Sequence, residues 1–192
     1  KCRLVLFTKN HIHFHTISST NDFTLSLRGT SLFVEGLLVT TDYQEAGRGQ
    51  VSKKWLSKKG LNLLLSVVIK PNIHVDHQFD ISRVVSLAIK DFLNSLGLEV
   101  SIKWPNDILI NQRKIAGVLI QNIVIDNVVI YSVIGIGLNV NQVQFPSFPI
   151  IATSLINELG RFQDCQKIRH DLLNFLSEKL LLYRKGKINN IE

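Results

Sequence analysis

The stretch between Glu99 and Val140 constrains the fold of this chain more than any other. It contains four segments rich in β-branched and aliphatic residues, at 99–104, 107–110, 114–125 and 128–140. Asn111-Gln112 and Asp126-Asn127 separate the later segments, and such short polar pairs are typical of the turns that join antiparallel strands. Consecutive strands with turns this short predict an antiparallel sheet, whose apolar face must be covered by other elements.

The rest of the chain supplies those elements. Residues 79–96 carry apolar side chains at helical spacing and end before Gly97, which indicates an amphipathic helix. Further helices are predicted at 20–28, 153–159 and 166–184, and further strands at 11–17, 36–41 and 62–70. Strands clustered between helices predict an α+β fold, with a mixed, largely antiparallel central sheet and helices packed mainly on one face.

Composition and charge exclude several classes of protein. The 192 residues are 45% hydrophobic and 19% charged, which is typical of a globular chain and not of a disordered one. No apolar run reaches the roughly 18 residues of a membrane helix, and Cys2 and Cys165 offer neither a disulfide framework nor metal-ligand spacing. We therefore expect a cytoplasmic protein with no membrane partner. The net charge of +7 suits ATP, an acidic protein or nucleic acid without choosing among them.

Two polar segments in the first third of the chain are candidates for binding. Ser18 to Asn21 follows the first predicted strand, and a plain helix cap is the alternative interpretation there. Residues 43–60 form a long predicted loop, and loops of this length inside compact domains are usually functional or disordered. This loop holds Gln44, the run Gly47-Arg48-Gly49-Gln50 and then Trp55. Glycine permits close approach of the backbone to a ligand, and arginine offers forked donors to a carboxylate or phosphate.

Three more segments lie within the predicted sheet. Lys103-Trp104-Pro105-Asn106-Asp107 ends one strand and could be a plain turn. Arg113-Lys114-Ile115-Ala116-Gly117 opens the next strand and places a cation beside small residues, so that a phosphate could approach it. Gly135 and Gly137 interrupt an otherwise β-branched strand, which indicates a bulge or the close approach of a ligand.

In this order and spacing, these segments resemble the biotin protein ligase and holocarboxylase synthetase family. K-W-P-N-D-I is followed seven residues after its aspartate by K-I-A-G, and later by G-I-G-L-N-V-N. The resemblance runs from about residue 12 to 160 and implies a fold similar to class II aminoacyl-tRNA synthetases and biotin synthetases. It also implies a catalytic domain over 1–184 and a polar tail over 185–192. Neither a helix-turn-helix before residue 12 nor the usual complete SH3-like barrel after the domain is expected.

The resemblance implies a two-step reaction. Biotin would be activated with MgATP to biotinyl-5′-AMP and pyrophosphate, and then transferred to a specific lysine of the biotin carboxyl carrier domain of a biotin-dependent carboxylase. Mg²⁺ would arrive with ATP, and no metal held by a cage of protein ligands is expected. Because no helix-turn-helix is expected, we also expect no specific DNA binding, and a homodimer is allowed.

The resemblance also assigns roles to individual residues. The catalytic residues would be Arg48, Lys103, Asp107 and Lys114. The biotin-binding residues would be Ser19, Thr20, Asn21, Gln44, Arg48, Gly49, Gln50, Lys114 and Gly117. The ATP-binding residues would be Gln50, Lys53, Trp55, Asn106, Gly135, Gly137 and Asn139. Lys114 would reach the biotin carboxylate and the α-phosphate, and Asp107 would orient or deprotonate the acceptor lysine, with Lys103 as a phosphate contact or a support for Asp107.

The glycine-containing loop departs from the family's common pattern. That pattern reads G-R-G-R-x-G-R-x-W, whereas this chain has G-R-G-Q-V-S-K-K-W. Gln50 therefore stands where an arginine is common, which puts in doubt how tightly the loop holds the adenylate.

Two other functions and one other site are compatible with parts of the sequence. A lipoate or octanoate protein ligase shares the fold, but its motifs differ from K-W-P-N-D. A non-catalytic biotin sensor or DNA-binding regulator has only the basic charge in its favour. His11, His13 and His15 alternate on one face of a predicted strand, where they could bind a metal. The interpretation we favour from sequence is a polar strand face beside the pocket mouth, with no metal.

Overall fold

A computed structural model of the chain describes residues 6–7, 10–50, 53–146 and 151–187. The strands are Asn10–Phe14 (β1), Leu37–Thr41 (β2), Leu63–Ile69 (β3), Ile73–His74 (β4), Val100–Lys103 (β5), Asp107–Ile110 (β6), Arg113–Ile125 (β7) and Val128–Leu138 (β8). The helices are Thr20–Ser26 (α1), Gln78–Ser95 (α2), Leu155–Leu159 (α3) and Cys165–Arg184 (α4), and a 3-10 turn, Val75–His77, precedes α2. Every predicted helix and strand is confirmed to within three residues at its ends, whereas β4 and the 3-10 turn lie outside the predicted elements.

The described strands form a single sheet in the order β1-β2-β3-β8-β7-β6-β5, with β4 paired to β8. Among them β1 and β2 run parallel, while every other pair runs antiparallel. The predicted mixed, largely antiparallel sheet is thus confirmed. Because β3 pairs with β8 across a long separation in sequence, the centre of the sheet brings residues from both halves of the chain together.

The two predicted turns form as their residue types require. Asn111 and Gln112 have φ of 48° and 60°, and Asp126 and Asn127 have φ of 49° and 61°. Two successive residues with positive φ define the tight turn whose twist matches that of antiparallel strands. β6, β7 and β8 therefore follow one another as a continuous meander.

Helices α2 and α4 cover one face of the sheet and pack against each other. Ile89 and Phe92 of α2 and Leu172 and Leu176 of α4 are almost fully buried, in one cluster with alternate residues of β3 such as Val67. Burying an aliphatic or aromatic side chain of this size stabilises the fold by about 1.5–3 kcal/mol. Truncating one of them to alanine should cost about 2–5 kcal/mol, since a cavity is added to the lost burial.

Helix α1 packs on the opposite face, over a smaller apolar cluster. Phe23 of α1 meets Phe14 of β1 with ring centroids 4.7 Å apart, and Val39 and Val133 lie in the sheet beneath. Because α1 has only seven residues, it covers only part of this face. The longer helices α2 and α4 lie on the other face, so the helices are packed mainly on one face, as predicted. Within the described residues, no helix combines the length and apolar character needed to cross a bilayer.

Candidate functional site

A row of polar groups crosses the sheet face that carries α1, centred on Gly135. Ser66 and Leu119 are the register partners of Gly135 in the strands on either side. The buried Asn21 side chain lies over this glycine, since a Cβ there would come 2.5 Å from Asn21 Oδ1. The Asn21 amide donates to Gln121 Oε1 at 3.0 Å and to the Leu119 carbonyl at 3.3 Å, and its Oδ1 lies 2.6 Å from the Ser66 hydroxyl. Pairing continues unshifted through Gly135, so this glycine marks close packing and not a bulge.

The first turn of α1 extends this network to the long loop. The Ser19 hydroxyl caps the helix by accepting from the backbone N–H three residues later at 3.3 Å. Thr20 donates to Gln44 Oε1 through its backbone N–H at 2.8 Å and its hydroxyl at 3.0 Å. The Ser66 hydroxyl is 2.8 Å from that of Thr20, which makes the two clusters continuous. Since Thr20, Asn21 and Ser66 are buried, these polar groups are fixed in a region largely shielded from water.

Trp55 lies over the neighbouring row, two residues further along β8. Gly117 and Gly137 are register partners there. A Cβ on Gly137 would come within 2.4–2.8 Å of three atoms of the Trp55 indole, and a Cβ on Gly117 would come 3.0 Å from its ring. Glycine at 137 lets the indole lie this close to the sheet, and a Cβ on Gly117 would force the ring to shift by a few tenths of an ångström. The indole N–H is buried without a hydrogen-bond partner in the described residues, which leaves one donor for an acceptor atom of a ligand.

Lys114 lies beside Trp55 and forms an ion pair with Asp107. Its Nζ is 2.5 Å from Asp107 Oδ1 and 5.6 Å from the centre of the Trp55 ring. Asp107 is the register partner of Gly117, so both charges project from the same face of the sheet. An ammonium group has three N–H donors. Lys114 can therefore hold Asp107 with one donor and offer two to an anion, and Lys103, the exposed register partner of Asp107, adds a second cation nearby.

The glycine-containing loop is held to α1 by its arginine. Arg48 Nη1 donates to Asp22 Oδ1 at 2.6 Å, and about half of each side chain is exposed. The Gly49 N–H donates to the carbonyl of Lys53 at 2.7 Å, and Lys53 in turn donates its N–H to Gln50 O at 3.1 Å. Exposed ion pairs of this kind contribute about 1 kcal/mol or less, so a ligand that needs Arg48 can displace Asp22 at little cost.

Two predicted ATP-binding residues donate hydrogen bonds from their side-chain amides to backbone carbonyls of the protein. Asn106 Nδ2 donates to the Val118 carbonyl at 2.8 Å. The buried Asn139 donates to the carbonyl of Thr153 at 2.9 Å, and that segment pairs with the backbone of Lys114. Both asparagines therefore hold the backbone around the site. The side-chain oxygen of Asn139 is buried with no partner in the described residues.

The structure regroups some predicted residues and adds new ones. Gly135, placed with the ATP set from sequence, lies against Asn21 of the biotin set. Ser66 and Gln121 were missed, although each is a polar residue within an apolar strand sequence, which is a usable signal. Asp22 was missed because nothing in the sequence pairs it with Arg48.

Comparison with known proteins identifies similar chains. A model of the Biotin/lipoate A/B protein ligase family matches residues 13–139. The chain is 35% identical over 171 residues to the bifunctional ligase/repressor BirA of Bacillus subtilis, covering 86% of this chain and 52% of that protein. It is 30% identical over 173 residues to the biotin–[acetyl-CoA-carboxylase] ligase of Mycobacterium tuberculosis, covering 88% of this chain and 63% of that protein. The chain thus spans about half of the first relative's length.

Solved structures agree in fold. A biotin protein ligase from Aquifex aeolicus in complex with biotin and ATP superposes with a TM-score of 0.77 at 27% identity, covering 93% of this chain and 73% of that one. A biotin protein ligase from Leishmania major in complex with biotinyl-5-AMP has a TM-score of 0.69 at 21% identity, covering 96% of this chain and 82% of that one. The second likeness concerns the fold alone.

Proposed function

Because the chain belongs to the Biotin/lipoate A/B protein ligase family, we propose that it activates biotin with MgATP to biotinyl-5′-AMP and transfers biotin to a lysine of a biotin carboxyl carrier domain. We assign the catalytic domain to residues 1–184 and expect it to act in the cytoplasm without specific DNA binding. The Aquifex aeolicus relative in complex with biotin and ATP supports the choice of both substrates.

One observation supports this proposal most: the two glycines of β8 lie under two side chains of different chemistry. Gly135 lies under Asn21, within a network of amides and hydroxyls, and Gly137 lies under the Trp55 indole. Residues two apart in a strand are on the same face and separated by roughly 7 Å. Polar side chains suited to the ureido group of biotin therefore adjoin an aromatic side chain suited to adenine, so the biotin carboxylate and the ATP α-phosphate would meet between them.

Lys114 is placed to assist the first step. Two anions must approach each other, and a cation held nearby in a shielded site offsets their repulsion. Two N–H donors of Lys114 remain beyond its contact with Asp107, one for the biotin carboxylate and one for an α-phosphate oxygen. Mg²⁺ would arrive with ATP and be held chiefly by phosphate oxygens, whose charge it would help to neutralise.

Asp107 is placed to assist the second step. The acceptor lysine must lose a proton, and with a reference pKa near 10.4 only a small minority is neutral at pH 7. Asp107, largely shielded at 14% side-chain exposure, can accept a hydrogen bond from the incoming ammonium while Lys114 holds its other side. The amine then attacks the mixed anhydride, the C–N bond forms as the acyl C–O bond to AMP breaks, and the proton lost by the amine would pass through Asp107 to solvent, while Arg48 and its loop would keep water from the anhydride.

Two assays test the proposal. Biotin-dependent ATP–pyrophosphate exchange reports the first step, and the same assay with lipoate or octanoate distinguishes the other ligases of this fold. The mass of a carrier domain after incubation with enzyme, biotin and MgATP reports the second step. A carrier domain that gains one biotin supports the proposal, whereas biotin binding without exchange would favour a non-catalytic sensor.

A further inference from the structure

Three metal-ligating side chains meet at the edge of the sheet, outside the site described above. His13 and His15 alternate on one face of the β1 segment, and Asp42 directly follows β2, the parallel neighbour of β1. One ligand atom from each lies within 4.8 Å of the other two. His13 Nε2 is 3.5 Å from Asp42 Oδ1, and His15 Nδ1 is 3.0 Å from Asp42 Oδ2. Sequence reasoning considered the histidines alone, because only the fold brings in the carboxylate.

These separations are close to those between the ligand atoms of a tetrahedral zinc site. Zinc binds imidazole nitrogen at about 2.0–2.1 Å and carboxylate oxygen at about 2.0–2.2 Å, which places neighbouring ligand atoms roughly 3.3 Å apart. His13 lies 3.5 Å from one carboxylate oxygen of Asp42 and His15 lies 3.0 Å from the other, so both distances are close to that value, and a small rotation of the carboxylate would bring one oxygen to both nitrogens. The distance between the ligand nitrogens of the two histidines can be adjusted by rotation of His15, whose side chain is 87% exposed.

A hydrogen-bond chain behind His13 directs its other nitrogen towards Asp42. The Thr40 hydroxyl lies 2.9 Å from His13 Nδ1 and 2.8 Å from His11 Nε2. When Thr40 donates to His11 and accepts from His13, the proton of the His13 ring is on Nδ1 and the lone pair is on Nε2. A ligating histidine characteristically uses its second nitrogen in this way, which fixes the tautomer and the ring orientation.

We propose that His13 Nε2, His15 Nδ1 and the Asp42 carboxylate form a binding site for a divalent transition metal of the zinc class. Nitrogen and carboxylate ligands favour such ions over calcium or magnesium, which prefer all-oxygen sites. Three protein ligands leave the fourth tetrahedral position to water.

The metal would join the two segments that carry the predicted biotin-binding residues. His15 is four residues before Ser19, and Asp42 is two residues before Gln44. These segments already run side by side, with the Ile17 N–H donating to the Tyr43 carbonyl at 3.1 Å. A bound ion would therefore stabilise the pairing of these two segments in the folded state, and zinc should raise the melting temperature.

The test is calorimetric titration of Zn²⁺ into the protein freed of any histidine tag and of metal. We expect one zinc ion per chain, and His15→Gln and Asp42→Asn should each weaken its affinity at least tenfold, because each removes a direct ligand. His15 is exposed, so His15→Gln should fold normally, and thermal melting without metal checks this. Zinc should then raise the melting temperature of the wild type by more than that of His15→Gln or Asp42→Asn.

His74→Gln is the matched control. His74 Nδ1 lies 3.1 Å from Asp76 Oδ2, an exposed histidine–carboxylate pair without the second histidine. This variant should bind zinc as the wild type does. Zinc affinity that is equal in wild type and His15→Gln, or loss of binding in His74→Gln instead, would overturn the proposal, as would the absence of stoichiometric binding at submillimolar zinc.

Discussion

Alanine at each of the two β8 glycines should damage the use of a different substrate. A Cβ on Gly135 would lie 2.5 Å from Asn21 Oδ1, and a Cβ on Gly137 would lie 2.4 Å from the Trp55 ring. Either neighbour must retreat by roughly 1 Å to reach ordinary van der Waals contact. Gly135→Ala should therefore raise the KM for biotin, and Gly137→Ala the KM for ATP.

The size of each effect follows from what the displaced side chain loses. Asn21 is held by Gln121, Ser66 and the Leu119 carbonyl, and losing one or two such bonds at about 1 kcal/mol each raises the KM for biotin about 5- to 30-fold. Stacking of a base on an aromatic ring contributes about 1–3 kcal/mol, so displacing Trp55 should raise the KM for ATP about 5- to 150-fold.

Pyrophosphate exchange at varied biotin and varied ATP measures both constants in each variant. Gly117→Ala is a milder variant for comparison. Its Cβ would lie 3.0 Å from the Trp55 ring, farther than the 2.4 Å of a Cβ on Gly137. Gly117→Ala should therefore raise the KM for ATP less than Gly137→Ala does. Thermal melting confirms that each variant is folded. If Gly135→Ala raised both constants equally, or if folded Gly137→Ala left the KM for ATP unchanged, the division of β8 into two subsites would be wrong.

Four further outcomes are expected. Lys114→Ala should slow biotin-dependent pyrophosphate exchange on the order of 10²-fold, because a strong electrostatic donor is lost; a near wild-type rate would remove Lys114 from the first step. Biotin with ATP should slow trypsin cleavage at Arg48 and Lys53, because the loop gains contacts when the ligand is bound, and equal cleavage rates would contradict loop closure. Gln50→Arg should reduce biotin labelling of an added non-substrate protein, at equal rates of adenylate formation, by about tenfold for each 1.4 kcal/mol of tighter binding; equal labelling would show that the arginine common in the family has no consequence here. DNA binding should be weak and collapse with salt, and a sequence-specific complex at physiological salt would contradict the monofunctional assignment.

Local sequence signals predicted the elements of this fold, and non-local pairing decided their arrangement. The turns at 111–112 and 126–127 and the helix at 78–95 depend on near neighbours in the chain, and each is confirmed. The parallel pairing of β1 with β2 depends on contacts across more than twenty residues. No periodicity encodes such a contact, and Asp42 joined the histidines only once that pairing was known.

The difference between local and non-local structure also explains which contacts of the site residues the sequence motifs could predict. K-W-P-N-D and K-I-A-G named Asp107 and Lys114, and the β6–β7 hairpin, a local structure, brings them to 2.5 Å. The G-I-G-L-N-V-N motif named Asn139 as a nucleotide contact, but its amide donates to the carbonyl of Thr153. Thr153 N–H donates to the Lys114 carbonyl at 2.9 Å, so Asn139 holds the segment that pairs with the lysine backbone. Asn139→Ala should therefore act through the position of Lys114, lowering the rate of adenylate formation more than it raises the KM for ATP, whereas a direct nucleotide contact would chiefly raise that KM.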